Sequence, residues 1–378
     1  MAGRRLPLEG LLVIAVEQAV AAPFCTSRLA DAGARVLKIE RPEGDFARGY
    51  DDVAKGQSSY FVWLNRGKES VVLDLAAEQG RAALRDLAAR ADVLVQNLKP
   101  GALDRLGLGI DSLRALNPRL VACSISGYGD SGPMAERKAY DLLIQAESGL
   151  ASITGGPDEP ARVGISIVDI ATGATAHAAI LEALLARSVS GEGADIRVSM
   201  FDVMADWLAV PLLHHEGGRP PRRLGLAHPS IAPYGVFTTA DGRSILISIQ
   251  SDREWAALCR LVLDAPDAVA DPRFATNVAR VRHRPEIDAL VAVALAGMDE
   301  SQARDLLAAA DIAFAAVNDM AALAAHPHLR RITVATPAGP VAMPAPAAIV
   351  RGEPRSYGAV PALDAHGTLP VGPLRWGS

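Results

Sequence analysis

Asp169 is the residue in this chain best placed for covalent chemistry. It stands at the mouth of an apolar stretch, VDIATGATAHAAILEALLAR, whose periodicity predicts a helix over Val168–Arg187. A carboxylate in the first turn of a helix meets unpaired backbone N–H groups and the positive end of the helix dipole, and both favour the anion. By itself this placement reads first as an ordinary aspartate N-cap, a role compatible with that of a nucleophile, which also needs an ionised carboxylate. Upstream, Tyr140 and Asp141 open another helix and by themselves read as a helix start with a surface phenol. The turn before them, Gly127-Tyr128-Gly129-Asp130-Ser131-Gly132, has the GxGxxG spacing of a dinucleotide site. Pro133 follows, however, so no helix opens at the last glycine to face a pyrophosphate, and an ordinary strand-to-loop turn fits better. No P-loop, GxSxG elbow or HExxH appears.

Strand and helix alternate through the first half. Leu11–Val16, Arg35–Glu40, Ser70–Leu75, Asp92–Gln96, Leu120–Ser126 and Ile196–Ser199 are short apolar runs. Between them, Ala21–Gly33, Ala76–Ala91 and Ile110–Leu116 read as helices. Strand cores apolar on both faces indicate a parallel sheet covered by helices, a doubly wound α/β domain. On the Val168–Arg187 helix, Ile170, Ala174, Ala178, Leu181 and Leu185 form one apolar stripe, and Met200–His214 reads as a further helix. The glycine and proline of 216–229 mark a linker. Beyond it, Tyr234–Thr239 and Ser244–Ile249 flank Asp241-Gly242, a hairpin signal, and helices are expected at Asp252–Val262, Pro285–Gly297 and Glu300–Ala310. The expected organisation is a large α/β domain over 1–215 and a smaller α+β domain over 230–320. After a return linker at 321–331, a tail over 332–378, with a hairpin at Ile332–Met343, completes the large domain.

The formal net charge of −5 and the absence of a basic block exclude nucleic acid as the main partner. No signal peptide and no uninterrupted apolar run of about 18 residues is present, so no membrane association and a cytoplasmic location are expected. Cys25, Cys123 and Cys259 lack CxxC spacing, and the adjacent pair His214-His215 points to different helix faces. No metal site is expected.

In this order, the residues resemble the class III coenzyme A transferases, the family of formyl-CoA transferase and carnitine CoA-transferase, with alpha-methylacyl-CoA racemase as a divergent branch. The likeness is collinear from LEG and AAPFCTSRLADAGARVLKIERPEGD through LNRGKESVVLDL, ADVLVQNLKPGALDRLGLG and NPRLVACSISGYGDSGP. It continues through KAYDLLIQAESGLASITG and VDIATGATAHAAILEALLAR to DPRF. The resemblance implies that Asp169 attacks an acyl-CoA thioester and becomes an aspartyl-CoA thioester, which an acceptor acid then discharges. Coenzyme A and its thioesters are substrates, and no permanently bound cofactor is implied. Arg41 and Arg105 lie where the family binds the CoA nucleotide, and Tyr140 and Asp141 match positions lining the acyl pocket. An interlocked homodimer is implied as well.

The chain also departs from these relatives. Val20 stands where formyl-CoA transferase has a glutamine beside its nucleophile, and that enzyme's glycine-rich flap has no counterpart in Gly225–Phe237. Formate and oxalate are therefore not the expected pair. The racemase branch has a histidine base where this chain has Tyr140, and a phenol is a poor base near neutrality. Transferase is the expected activity, with racemase or a non-catalytic acyl-CoA-binding protein as alternatives. Arg137, Lys138 and Arg162, close in sequence to the site, lean towards succinyl-CoA as donor and a C4–C6 dicarboxylate as acceptor.

Overall fold

Six runs of aliphatic residues become one sheet: Leu12–Val16 (β1), Arg35–Glu40 (β2), Lys68–Val72 (β3), Val93–Gln96 (β4), Val121–Ser126 (β5) and Asp195–Ser199 (β6). The computed structural model describes residues 5–353 and 355–367, so the last part of the expected tail, 368–378, lies outside the described residues. The strand order is β3-β2-β1-β4-β5-β6, and every pairing is parallel. The chain thus winds outward in both directions from the β1–β4 pair, as in a doubly wound fold. Such a sheet opens a crevice beyond the carboxyl ends of the two central strands.

β1 is buried along its whole length, as cover on both faces requires. The neighbouring strands are not purely apolar, contrary to the sequence pattern. Lys38 and Glu40 of β2 and Lys68 and Ser70 of β3 are buried. Their polar ends meet one another and Glu17, which is why β3 starts at Lys68 rather than at Ser70.

The helix predicted over Val168–Arg187 runs from Ile167 to Ser190. Its buried face is Val168, Thr172, Ala176 and Ile180 with Gly173, where an added Cβ would collide with the Ala21 carbonyl of the Ala21–Asp31 helix. The apolar stripe read from the sequence is divided: Ile170 and Leu181 pack against the core, whereas Ala174 and Ala178 are exposed and Leu185 is 71% exposed. Gly173, Ala171 and Ala176 on the inner face let the two helices approach closely. The helix expected over Met200–His214 is two helices, Met200–Trp207 and Ala209–Glu216. The break precedes Pro211, whose nitrogen has no hydrogen to continue the ladder.

Contacts divide the chain into two units. One takes the described residues up to Leu150, then Arg162–Val210 and the described residues from Arg330; the other takes Ala151–Ala161 and Pro211–Leu329. In the second unit the Tyr234–Thr238 and Ser244–Ser248 hairpin gains a third antiparallel strand, Ala313–Ala316, which the sequence reading missed. Trp255, Leu258, Ile287, Val291 and Leu307 form its core. In the first unit the tail hairpin pairs Ile332 with Met343. The chain then runs along the open edge of β3, where Val72 N donates to Asp364 Oδ1 at 2.9 Å and His366 N to the Ser70 carbonyl at 3.0 Å. Sheet edges need such cover.

Candidate active site

The crevice between β1 and β4 is closed by a side chain acting on a backbone. Asn97, just after β4, accepts from Gln18 N at 3.0 Å and donates to the Gln18 carbonyl at 2.8 Å. Beside this clamp lies a cavity of about 500 Å³ whose walls include Val20, Tyr140, Asp141 and Asp169. Four sequence-predicted residues are thus brought together. Arg41 lines a second cavity of about 260 Å³ with Leu73, Leu75 and Leu106, and the two cavities share Gln18 and Leu98. Arg105 ends the short helix Ala102–Arg105 and lines none of the described cavities.

Asp169 lies in the first turn of its helix, yet it does not cap it. Ser166 occupies the N-cap position without a side-chain bond. The capping oxygen comes instead from Asp141, whose Oδ1 accepts from Val168 N at 2.8 Å and Asp169 N at 3.3 Å. Asp141 is itself held, because Gln145 Nε2 donates to its Oδ2 at 2.7 Å. The ordinary explanation of Asp169 as an N-cap is therefore excluded by a neighbouring carboxylate that performs the capping. Among the described residues, no protein group donates a hydrogen bond to the Asp169 carboxylate. Burial, reinforced by the negative charge of Asp141, pushes its acidity up to about 7. The sequence argument expected the helix dipole to keep the anion; desolvation wins instead.

The aromatic wall was not found from sequence. Phe46, Tyr50 and Tyr60 all line the Asp169 cavity, with ring centroids 5.7 Å apart for Phe46–Tyr50 and 5.6 Å for the edge-on pair Tyr50–Tyr60. Burial, with the carboxylates of Asp45 and Asp169 adding, pushes the Tyr50 phenol up to about 12, so it stays a neutral donor at every working pH. Tyr140 is 58% exposed, because an extended backbone (φ −144°, ψ 162°) turns its ring outward just before the Asp141–Glu147 helix.

Arg137, Lys138 and Arg162 also border the cavity. Arg137 meets Glu147 at 3.4 Å and Arg162 the Gly164 carbonyl at 3.3 Å, while Lys138 pairs with no acid among the described residues. No histidine lines the cavity. The arrangement offers an accessible, unpaired carboxylate as nucleophile, phenol donors on one side and cations for anionic substrates on the other.

Residues 8–367 match the family described as CoA-transferase family III. The chain is 40% identical over 321 residues to a succinate–glutarate CoA-transferase of Agrobacterium fabrum, covering 82% of this chain and 79% of that one. It is 38% identical over 367 residues to an acetyl-CoA:oxalate CoA-transferase of Acetobacter aceti, covering 96% and 94%. Among solved structures, a CaiB/BaiF family protein from Brucella suis superposes with a TM-score of 0.81 at 36% identity, covering 96% and 98%.

Proposed function

The chain belongs to CoA-transferase family III, and on that premise we propose that it moves coenzyme A from an acyl-CoA to a small carboxylic acid through a thioester on Asp169. One observation carries this reading. The Asp169 carboxylate borders the 500 Å³ cavity with its capping duty taken by Asp141 and, among the described residues, no donor on its oxygens. A desolvated carboxylate with an acidity near 7 is ionised often enough at neutral pH to attack, and burial makes the anion more reactive than a hydrated one.

The steps balance without ATP. Asp169 attacks the thioester carbonyl, forming a mixed anhydride and releasing CoA thiolate. The thiolate attacks the aspartyl carbonyl, giving aspartyl-CoA and the free donor acid. The acceptor carboxylate then attacks aspartyl-CoA and again expels the thiolate, which returns to the acceptor's carbonyl and frees Asp169. Arg41, on the adjoining cavity, suits the nucleotide phosphates by charge and geometry. Arg105 is proposed for the same role on the family resemblance alone. The rim cations Arg137, Lys138 and Arg162 suit a second carboxylate, in keeping with a succinate–glutarate relative, and favour succinyl-CoA as donor with a short dicarboxylic acceptor. The outward apolar stripe with Leu185 and Val189, 91% exposed in the latter, supports a homodimer in which a second copy covers it.

Trapping tests the reading. The protein is incubated with succinyl-CoA, quenched with hydroxylamine, and its peptides are mapped by mass spectrometry. A hydroxamate on Asp169 is expected. An unmodified Asp169 with CoA ester bound would shift the assignment to a racemase or a binding protein, which exchange of the α-hydrogen with deuterated water would separate.

A further inference from the structure

Asp45 carries none of the bond-making steps above, although it borders the Arg41 cavity, and it is only 5% exposed. Its Oδ1 accepts two backbone hydrogens, from Ala19 N at 3.1 Å and Ala47 N at 2.9 Å. Its Oδ2 accepts from Lys38 Nζ at 2.8 Å, a pair with no solvent exposure on either side. Ala19 belongs to the loop Gln18–Val20, one wall of the Asp169 cavity. Ala47 belongs to the turn Phe46–Gly49, which presents Phe46 and leads into Tyr50 on another wall of the same cavity. A single carboxylate oxygen therefore ties two walls of the pocket together.

The surroundings make this pin stiff. Ala19 has a left-handed backbone at φ 65°, which a residue with a Cβ keeps only when its neighbours hold it there. Lys38 lies 3.4 Å from Glu17, which accepts from Lys68 at 2.7 Å and from Thr26 at 2.6 Å. Two carboxylates and two ammonium groups balance, so the cluster needs no counter-ion. On the other side Glu40 accepts from Asp45 N at 2.9 Å while Arg48 grips it at 2.6 and 2.8 Å, which anchors the turn.

We infer that Asp45 is a positioning residue that sets the spacing between the Gln18–Val20 and Phe46–Tyr50 walls, and through it the girth of acid that the Asp169 cavity admits. The activity part of this inference rests on the transferase reading; the structural part does not.

The test compares Asp45→Asn with Asp31→Asn. The second variant breaks another buried ion pair of the same unit, to Arg66 at 3.0 Å, without touching the cavity. In Asp45→Asn the amide NH2 must face either the Lys38 ammonium or the Ala19 and Ala47 N–H groups, donor against donor in both cases, so the tie between the walls is released. Amides in 17–22 and 46–50 should then exchange with deuterium about tenfold faster, with the rest of the chain unchanged. The ratio of kcat/KM for succinate to that for 2,2-dimethylsuccinate should move about fivefold, and KM for the CoA ester less than about threefold. Asp31→Asn should leave the ratio and the local exchange at wild-type values. An unmoved ratio and exchange in Asp45→Asn, with loss of melting temperature like that of Asp31→Asn, would reduce Asp45 to a structural residue. If Asp45→Asn does not fold, Asn97→Ser frees the Gln18–Val20 wall from outside the buried cluster; the ratio must then shift there, or the inference fails. A wild-type chain that transfers CoA to no acid would defeat the transferase reading, while the exchange measurement would still decide the role of Asp45.

Discussion

Two sets of carboxylates share the crevice beyond the central strands, and their surroundings drive them in opposite directions. Glu17, Glu40 and Asp45 are buried among Lys38, Lys68 and Arg48. Burial alone would raise the pKa of Glu17 and Glu40, yet Lys68 and Lys38 hold Glu17 below the ordinary carboxylate range. Arg48 with Lys38 and Ser70 brings Glu40 down to about 2. Asp169 is also desolvated, though half-buried, and has no cation in contact among the described residues; the negative charge of Asp141 adds to the desolvation, and its pKa rises to about 7. Burial is common to both sets, so the partner decides the sign. The paired set holds walls in place, and the unpaired carboxylate is the one left able to react.

The largest expected effect breaks the reactive side of this contrast. Asp169→Ala should reduce transfer by at least about 10³-fold, since the other carboxylate of the cavity, Asp141, is engaged by Val168 N, Asp169 N and Gln145. Its affinity for the CoA ester, read by calorimetry, should stay within about threefold. Activity within about tenfold of wild type would remove Asp169 from the mechanism.

The matching change on the paired side should act on the fold instead. Glu17→Gln leaves Lys68 and Lys38 without their shared partner inside the protein. Losing one member of a buried pair costs about 3–5 kcal/mol, so the melting temperature should drop by many degrees. If Glu17→Gln abolished transfer at an unchanged melting temperature, the division into structural and reactive carboxylates would be wrong.

Asp141 links the two roles, because it pairs with backbone hydrogens and also repels Asp169. Asp141→Asn keeps an oxygen for Val168 N and Asp169 N but removes the negative charge. The acidic limb of the kcat/KM profile should therefore move to lower pH, because a like charge that raised the Asp169 acidity is gone. The maximal rate should fall by about tenfold or less if the capping geometry survives. A limb that stays in place would mean that burial alone sets the acidity.

The sequence made one of these sets legible and hid the other. The sheet could be read because its strands alternate with amphipathic helices, and Asp169 because it opens the longest helix. That Asp141 caps that helix could not be read, since the bond joins residues 28 apart across two elements. The buried cluster was hidden for a related reason: Lys38 and Lys68 look like surface residues until parallel pairing sets β2 beside β3 and turns both side chains inward. Which members of the apolar stripe of the Ile167–Ser190 helix are covered could not be read, because periodicity reports that a face is apolar, not what covers it. Tyr50 and Tyr60 were missed because no spacing marks them; Tyr50 reaches the cavity through the turn that Asp45 pins, and Tyr60 from the Ser59–Leu64 helix.

The smallest effect gives the comparison its sharpest form, as two opposite slopes of stability against pH. The folded-state acidity of Asp169 lies near 7, above its ordinary value of 3.8. Between those values the folded chain holds a proton that the unfolded chain has released, so stability is lost as pH rises through that window. Glu40 behaves in reverse: its folded value near 2 lies below its ordinary 4.5, so its contribution is present above the ordinary value and lost as pH falls towards 2. Asp169→Asn removes the first slope and leaves the second. It should match the wild type near pH 4 and exceed it at pH 8. Discounted for partial exposure, the gain is about 1–2 kcal/mol, roughly 1–3 °C in melting temperature. Calorimetric scans at pH 4, 6 and 8 measure the difference directly. A gain that grows with pH would identify the reactive carboxylate as a standing cost to the fold, whereas a constant offset would mean that Asp169 stays ionised throughout and that a cation compensates its burial after all.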